Sequence, residues 1–375
     1  MKYKLLKDVC NINMGQSPDS NSYNENGYGV PFFQGNADFG ERYPIVKKWC
    51  NAPTKMAASE DILISVRAPI GAVNYAKEDC CIGRGLAAIT PDKTKVSHEF
   101  IFWLLKGKKD ELNDKGTGST FKAIGRTVLE EILIPDIEIE KQIESAAILE
   151  KMYSVMQAKH QEISKLDDLV KARFVELFGD TVLNPFGWEK ELLGTICDVR
   201  DGTHDSPQYF NIGFPLVTSK NVTGGIIDLT DCSLICEKDY NKINERSKVD
   251  IGDIIMPMIG TVGKPVIVDI EPNFAIKNVS LIKFKSDSKV LNIYIRALLQ
   301  SDYFDDAVLS KVRGGTQKFI SLGDIRKLEI LVPPLELQEQ FAAFVEQSEK
   351  SKAAVQKSLD KLQILFDSLM QEYFD

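Results

Sequence analysis

The stretch "STFKAIGRTVLEEILIPDIEIEKQI", Ser119 to Ile143, returns farther along the chain as "TQKFISLGDIRKLEILVPPLELQEQF", Thr316 to Phe341. Each copy has a glycine-rich lead-in, a short apolar strand running into proline, and an acidic helix start that carries glutamine. Aligned without a gap, Pro135 stands against Pro333 and Gln142 against Gln340. A similarity at such long range means that one structural unit has been used twice.

Followed outward, the likeness continues. "YKLLKDVCNINMGQSPDSNSYNENGYGVPF" (Tyr3 to Phe32) pairs with "WEKELLGTICDVRDGTHDSPQYFNIGFPLV" (Trp188 to Val217). "EDILISVRAPIGAV" (Glu60 to Val73) pairs with "GDIIMPMIGTVGKPVIV" (Gly252 to Val268), with Glu60 facing Gly252. Helical segments, "HEFIFWLLKGKKDEL" and "NIYIRALLQSDYFDDAVL", precede the two lead-ins. Short β-branched runs separated by Gly, Pro and Asn predict mixed strands with a few helices. At 375 residues the chain exceeds what one core usually serves. The expected domains are residues 1–138, 139–180, 181–336 and 337–375, read as domain, long helix, domain, long helix. Asn184-Pro185 and Gly187 stop the first long helix and restart the strand pattern.

The two long helices carry apolar stripes. In the first, Leu149, Met156, Ile163, Val170 and Leu177 recur every seventh residue, with Met152 and Leu166 between them; Lys159 and Arg173 interrupt the second seam. In the last, Val355, Leu359, Leu362, Phe366, Leu369 and Tyr373 alternate by four and three. Neither stripe is stable alone in water, so each helix needs a partner. Antiparallel pairing of the two would relate the halves by a pseudo-two-fold axis. The expected fold class is therefore α+β, two similar mixed domains on a pair of antiparallel coiled-coil helices.

Net charge of −8 argues against a wholly basic nucleic-acid binder, yet from Leu335 onward acids outnumber bases, which leaves the two domains nearly balanced. The seven cysteines are odd in number and scattered, as expected of free thiols in a reducing compartment. Cys232 and Cys236 lack a second Cys or His pair at finger spacing, so no metal is expected. No apolar run approaches the roughly 20 residues that span a bilayer, and the N-terminus has no apolar core of a signal peptide. A cytoplasmic protein without membrane contact is the expectation.

Chemistry is hard to find. "GTGST" (Gly116 to Thr120) and "RGGTQK" (Arg313 to Lys318) lack the lysine of a phosphate loop, and no GxGxxG opens a helix after a strand. Asn184-Pro185-Phe186 lacks the glycine-rich strand a methyl donor needs. Three dispersed histidines, His98, His160 and His204, do not favour a nucleophilic triad. What remains is polar, glycine-punctuated loops in duplicate, with the side chains that contact phosphates and base edges. In the first copy these are Gln16, Ser17, Asn36, Arg67, Arg84, Lys115, Thr117, Ser119 and Lys122. In the second they are Thr203, His204, Lys220, Asn221, Lys264, Arg313, Thr316, Gln317 and Lys318.

In the order and duplication of these segments, the chain resembles the specificity subunit of type I restriction–modification systems over essentially its whole length. The carrying residues are "LEILVPPLELQEQ" (Leu328 to Gln340) with its first-half version, the junction "KLDDLVKARFVELFGDTVLNPFGWEKELLG", the opening "YKLLKDVCNINMGQSPDS" and the "GDII…IGTVG" stretch. That resemblance implies two target-recognition domains, each reading half of a split, asymmetric double-stranded DNA sequence. It implies paired helices that act as spacer and dock two modification (methyltransferase) subunits, joined by restriction/translocase subunits. S-adenosylmethionine, ATP and Mg²⁺ would then belong to those partners, and this chain would perform no chemistry. The other reading of the same residues is a protein-binding scaffold of two domains on a helical spacer.

Overall fold

The computed structural model describes residues 2–118, 122–259, 264–307 and 319–374. It divides into two compact units, Met1–His160 with Gln356–Asp375, and Gln161–Val355. Each is built on the same plan.

In the first unit a four-stranded antiparallel sheet has β1 (Cys10–Met14), β2 (Ile62–Ser65), β3 (Val73–Tyr75) and β4 (Leu86–Pro91) in the order β1-β4-β2-β3. In the second, β5 (Asp198–Asp201), β6 (Ile254–Pro257), β7 (Val266–Ile267) and β8 (Val279–Lys283) repeat that order as β5-β8-β6-β7. β2 and β6, "ILIS" and "IIMP", are buried on both faces, which is why they read as continuous apolar runs. A second sheet in each unit contains one parallel pair, Phe32–Phe33 beside Cys81–Ile82 and Leu216–Val217 beside Ala275–Ile276. Glu60 and Gly252 both have positive φ, 70° and 89°, so the turn before β2 keeps its left-handed residue even where glycine is absent.

A short closing strand shifts the alignment of the repeat. Tyr3, Lys4 and Leu5 pair with Pro135, Ile134 and Leu133, whereas Lys190, Glu191 and Leu192 pair with Leu331, Ile330 and Glu329. The structural counterpart of Pro135 is thus Leu331, not Pro333. The helices confirm it, since they begin at Ile139 and Leu335. Gln142 accordingly corresponds to Gln338, and the expected match with Gln340 is corrected.

These two glutamines explain why the position repeats. Gln142 is buried; its Oε1 accepts from the Ser97 N–H at 2.9 Å and its Nε2 donates to Ile137 O at 2.9 Å. Gln338 does the same with the Leu291 N–H at 2.8 Å and Pro333 O at 2.8 Å. Ser97 and Leu291 are the N-cap residues of the helices His98–Gly107 and Asn292–Leu298. One amide therefore serves a helix start that would otherwise leave donors unpaired, and ties it to the long helix.

The long helices, Ile139–Phe178 and Leu335–Phe374, each contribute to both units. In the first unit, Leu149, Met152 and Met156 share a core with Leu359, Leu362, Phe366, Leu369 and Tyr373, around Phe100, Phe102 and Trp103. In the second unit Val170 and Leu177 pack with Phe174, Phe178, Phe341 and Val345 against Tyr294. Ile163, Leu166 and Val355 are half-buried. Within each unit, then, the start of one helix lies beside the end of the other, as the apolar stripes require. Lys352 adds an ion pair to Asp167 at 2.6 Å. The stripes include Phe366 and Tyr373 but pass over Phe174, Phe178 and Phe341, which anchor the helices in the second unit.

Candidate nucleic-acid interface

In the first unit three loops cross at the ends of the sheets with their backbones in contact. A Cβ at Gly15 would lie 2.2 Å from Gly83 O, and one at Gly85 would lie 2.5 Å from Gln34 O, so only glycine admits the crossing. Gly15 N–H donates to Leu86 O at 2.9 Å and Gln16 N–H to Ile82 O at 3.0 Å. The Ser17 hydroxyl then accepts from Gln34 Nε2 at 2.9 Å and from the Arg84 N–H at 3.3 Å. Gln16, Gln34 and Arg84 point into solvent around this knot. Asn36 is half-buried at the start of the 3-10 turn Asn36–Asp38.

The rim continues through backbone pairing. Val66 N–H donates to Gly85 O at 2.9 Å, Arg67 bridges Ala123, Ala68 N–H donates to Lys122 O at 3.0 Å, and Thr117 bridges Ala123. The side chains of Arg67, Arg84, Thr117 and Lys122 are exposed, and the three cations have no carboxylate partner among the described residues. Lys115 is exposed too, but is neutralised by Glu111 at 2.6 Å. Residues scattered over the sequence from Gln16 to Lys122 are thus gathered on one polar edge. Ser119 lies outside the described residues.

The second unit rebuilds the crossing with other side chains. Gly202 N–H donates to Val279 O at 2.9 Å and Thr203 N–H to Ile276 O at 3.0 Å. Lys277 N–H donates to Val217 O at 2.9 Å, as Gly83 N–H does to Phe33 O at 2.8 Å. By this register Thr203 replaces Gln16 and His204 replaces Ser17, while the three residues Gly83-Arg84-Gly85 are shortened to the two residues Lys277-Asn278. His204 Nδ1 lies 2.9 Å from Asn278 Oδ1 and its Nε2 lies 2.9 Å from Asp201 Oδ2. Those hydrogen bonds, to Asn278 and then to Asp201, hold the imidazole pKa above its ordinary value. Lys277 donates to Ser206 Oγ at 2.7 Å, and Lys220 and Lys264 are exposed.

One expected reader is corrected. Asn221 is 3% exposed, and its Oδ1 accepts from the Thr218 N–H at 3.1 Å and the Thr218 hydroxyl at 2.9 Å. It shapes a turn, as Asp38 does for the Gln34 N–H at 2.7 Å. Arg313, Thr316, Gln317 and Lys318 lie outside the described residues. Gln34, Lys277 and Asn278 were not anticipated. Their only signal is position, directly after the apolar strands "VPFF" and "AI" that feed the crossing. Among the described residues no group of three or more His, Cys, Asp or Glu is placed to hold a metal ion.

The family model for the "Type I restriction modification DNA specificity domain" matches residues 1–167 and 185–363. The chain belongs to this family. Its two matched segments each contain one of the loop crossings. Among family relatives, the type I restriction enzyme MjaIX specificity subunit of Methanocaldococcus jannaschii is 27% identical over 98% of this chain and 91% of that protein. The putative MjaX specificity subunit of the same organism is 45% identical over 43% of this chain, a match that spans 38% of that longer protein. In fold, the chain is similar along its full length to the type I restriction–modification S subunit from M. genitalium, with a TM-score of 0.59 at 15% identity, covering 96% of that chain. Among the described residues no helix is long and apolar enough to cross a membrane.

Proposed function

We propose that this family member reads a bipartite, asymmetric duplex sequence, one half through each glycine-gated crossing. Residues 1–138 and 181–336 act as the target-recognition domains, and 139–180 with 337–375 form the spacer that docks two modification subunits, with restriction/translocase subunits joining for cleavage. The chain itself is non-catalytic; S-adenosylmethionine, ATP and Mg²⁺ are handled by those partners, in the cytoplasm where the DNA is. One observation carries this reading. The same backbone crossing appears twice, while its side chains differ, Ser17 against His204 and Gly83-Arg84-Gly85 against the shorter Lys277-Asn278. A scaffold for one repeated partner would keep those side chains alike; a reader of two unlike half-sites must change them.

Arg84 is exposed, free of a carboxylate partner among the described residues, and held by its backbone N–H on Ser17. Replacing it with alanine, in the complex with the modification subunits, is expected to weaken cognate binding by about 1–3 kcal/mol if it reads a base. The loss should be confined to duplexes that are intact in one half-site. Competition with duplexes scrambled in either half measures this, and an equal loss against both would count against one domain per half.

A further inference from the structure

Asn278 occupies the crossing of the second unit with φ 55°, a left-handed conformation that asparagine tolerates. Its Oδ1 faces His204 Nδ1, and the other ring nitrogen faces Asp201. Asp201 is little exposed and its second oxygen is taken by the Arg246 guanidinium. A carboxylate only accepts, so Nε2 of His204 carries a hydrogen. The state of Nδ1 then decides which way the Asn278 amide turns. When Nδ1 is protonated it donates to Oδ1, and the amide NH₂ is directed outward. When Nδ1 is bare it must accept from the amide nitrogen, and the carbonyl oxygen is directed outward.

Charged groups of both signs lie near the ring. From its own segment come Asp201 and Asp205. From the helix Glu237–Ser247 come Arg246 and, lining the adjoining cavity, Asp239 and Lys242. From the facing loop comes Lys277, engaged with Ser206. The direct hydrogen bonds to Asn278 and Asp201 raise the His204 pKa from its ordinary value, against burial and the Arg246 charge, which lower it.

We propose that His204 is a positioning residue whose protonation sets Asn278 to offer DNA a hydrogen-bond donor, so that the second unit contacts an acceptor. This rests on the DNA-reading function above. Asparagine reads adenine with its oxygen and nitrogen together; here the oxygen is already spent on His204. The acceptor is therefore a single one, on a base edge or a phosphate. Loss of the proton reverses the amide and replaces attraction with repulsion of like lone pairs.

The test uses the full chain with its modification subunits, labelled with ¹⁵N-histidine and assigned by comparison with His204→Gln. Long-range ¹H–¹⁵N spectra without DNA should show both His204 nitrogens protonated at pH 6.5, with a midpoint above the ordinary value of about 6.5. Cognate-duplex affinity at fixed salt should fall about tenfold through that same midpoint, the usual size of one specific contact. His204→Gln should flatten the profile. Asn278→Asp, which offers no outward donor, should bind about tenfold more weakly at the acid end. Base-pair substitutions in the second half-site separate the sources: a base acceptor makes the Asn278→Asp loss vanish at one position, a phosphate makes it uniform. A neutral His204 at pH 6.5, an affinity profile that ignores its midpoint, or Asn278→Asp binding like wild type at every pH would overturn the proposal. A wild-type complex that binds no duplex would sink the DNA reading and this proposal together, while the spectra, recorded without DNA, still report the ring.

Discussion

Truncation of Phe178 to alanine is expected to destabilise the second unit by about 3–5 kcal/mol, the usual range for a fully buried phenylalanine. The side chain is 0% exposed at the end of the central helix. Its ring meets Phe174 at 5.0 Å, Tyr294 at 4.8 Å and Phe341 at 5.5 Å, all edge-on. Removing it forfeits the transfer energy of the ring, adds a cavity that three aromatic neighbours cannot close, and loses the edge-to-face pairs. Denaturant unfolding followed through Trp188 is the measurement, because its indole N–H donates to Phe178 O at 2.9 Å and reports this site. Trp49 and Trp103 belong to the first unit and are changed to phenylalanine in the background. Leu169→Ala, half-exposed on the same helix, should shift the transition by under about 0.5 kcal/mol. A Phe178→Ala loss below about 1 kcal/mol would mean that the helix end is not seated in the domain core.

Cognate DNA binding by the complex is expected to weaken about 10³- to 10⁵-fold between 50 and 200 mM salt, if six to ten phosphates are neutralised. The chain carries a net charge of −8, so this cannot come from attraction to the molecule as a whole. On this chain the cations available for it are Arg67, Arg84 and Lys122 in the first unit and Lys220, Lys264 and Lys277 in the second. Screening over about 8–10 Å confines such contacts to charges near the phosphates. The slope of log affinity against log salt counts the contacts. Each alanine replacement of a phosphate-contacting lysine should reduce it by about one. A slope near zero would show that the exposed cations do not meet the backbone.

Much of the architecture was legible because duplication makes weak signals reinforce one another. The long helices were readable from their seven-residue stripes, and the strand-to-helix transition from its recurrence. The register of that transition was not, because a proline marks where a strand stops and the two strands stop at different points. Pro135 and Pro333 both end a strand, but the strand Glu329–Val332 runs past the equivalent point. The invariant element is instead the buried amide of Gln142 or Gln338, whose role depends on partners far off in sequence. Polar loop residues were equally ambiguous. Asn221 and Arg84 look alike as candidates, yet one satisfies its own turn and the other faces water. Asn278 was missed for the opposite reason: its loop is one residue shorter than Gly83-Arg84-Gly85, and only the backbone hydrogen bonds relate the two. Phe174, Phe178 and Phe341 were passed over because they fall outside the seven-residue stripes.

The central claim is that two unlike crossings read two unlike half-sites. A map of methylated bases in host cells with and without this chain, its modification subunits present in both, tests it most directly. The account predicts methylation at one split, asymmetric sequence that disappears when the chain is removed. Methylation that persists without the chain, or that falls on an unbroken or palindromic sequence, would contradict it.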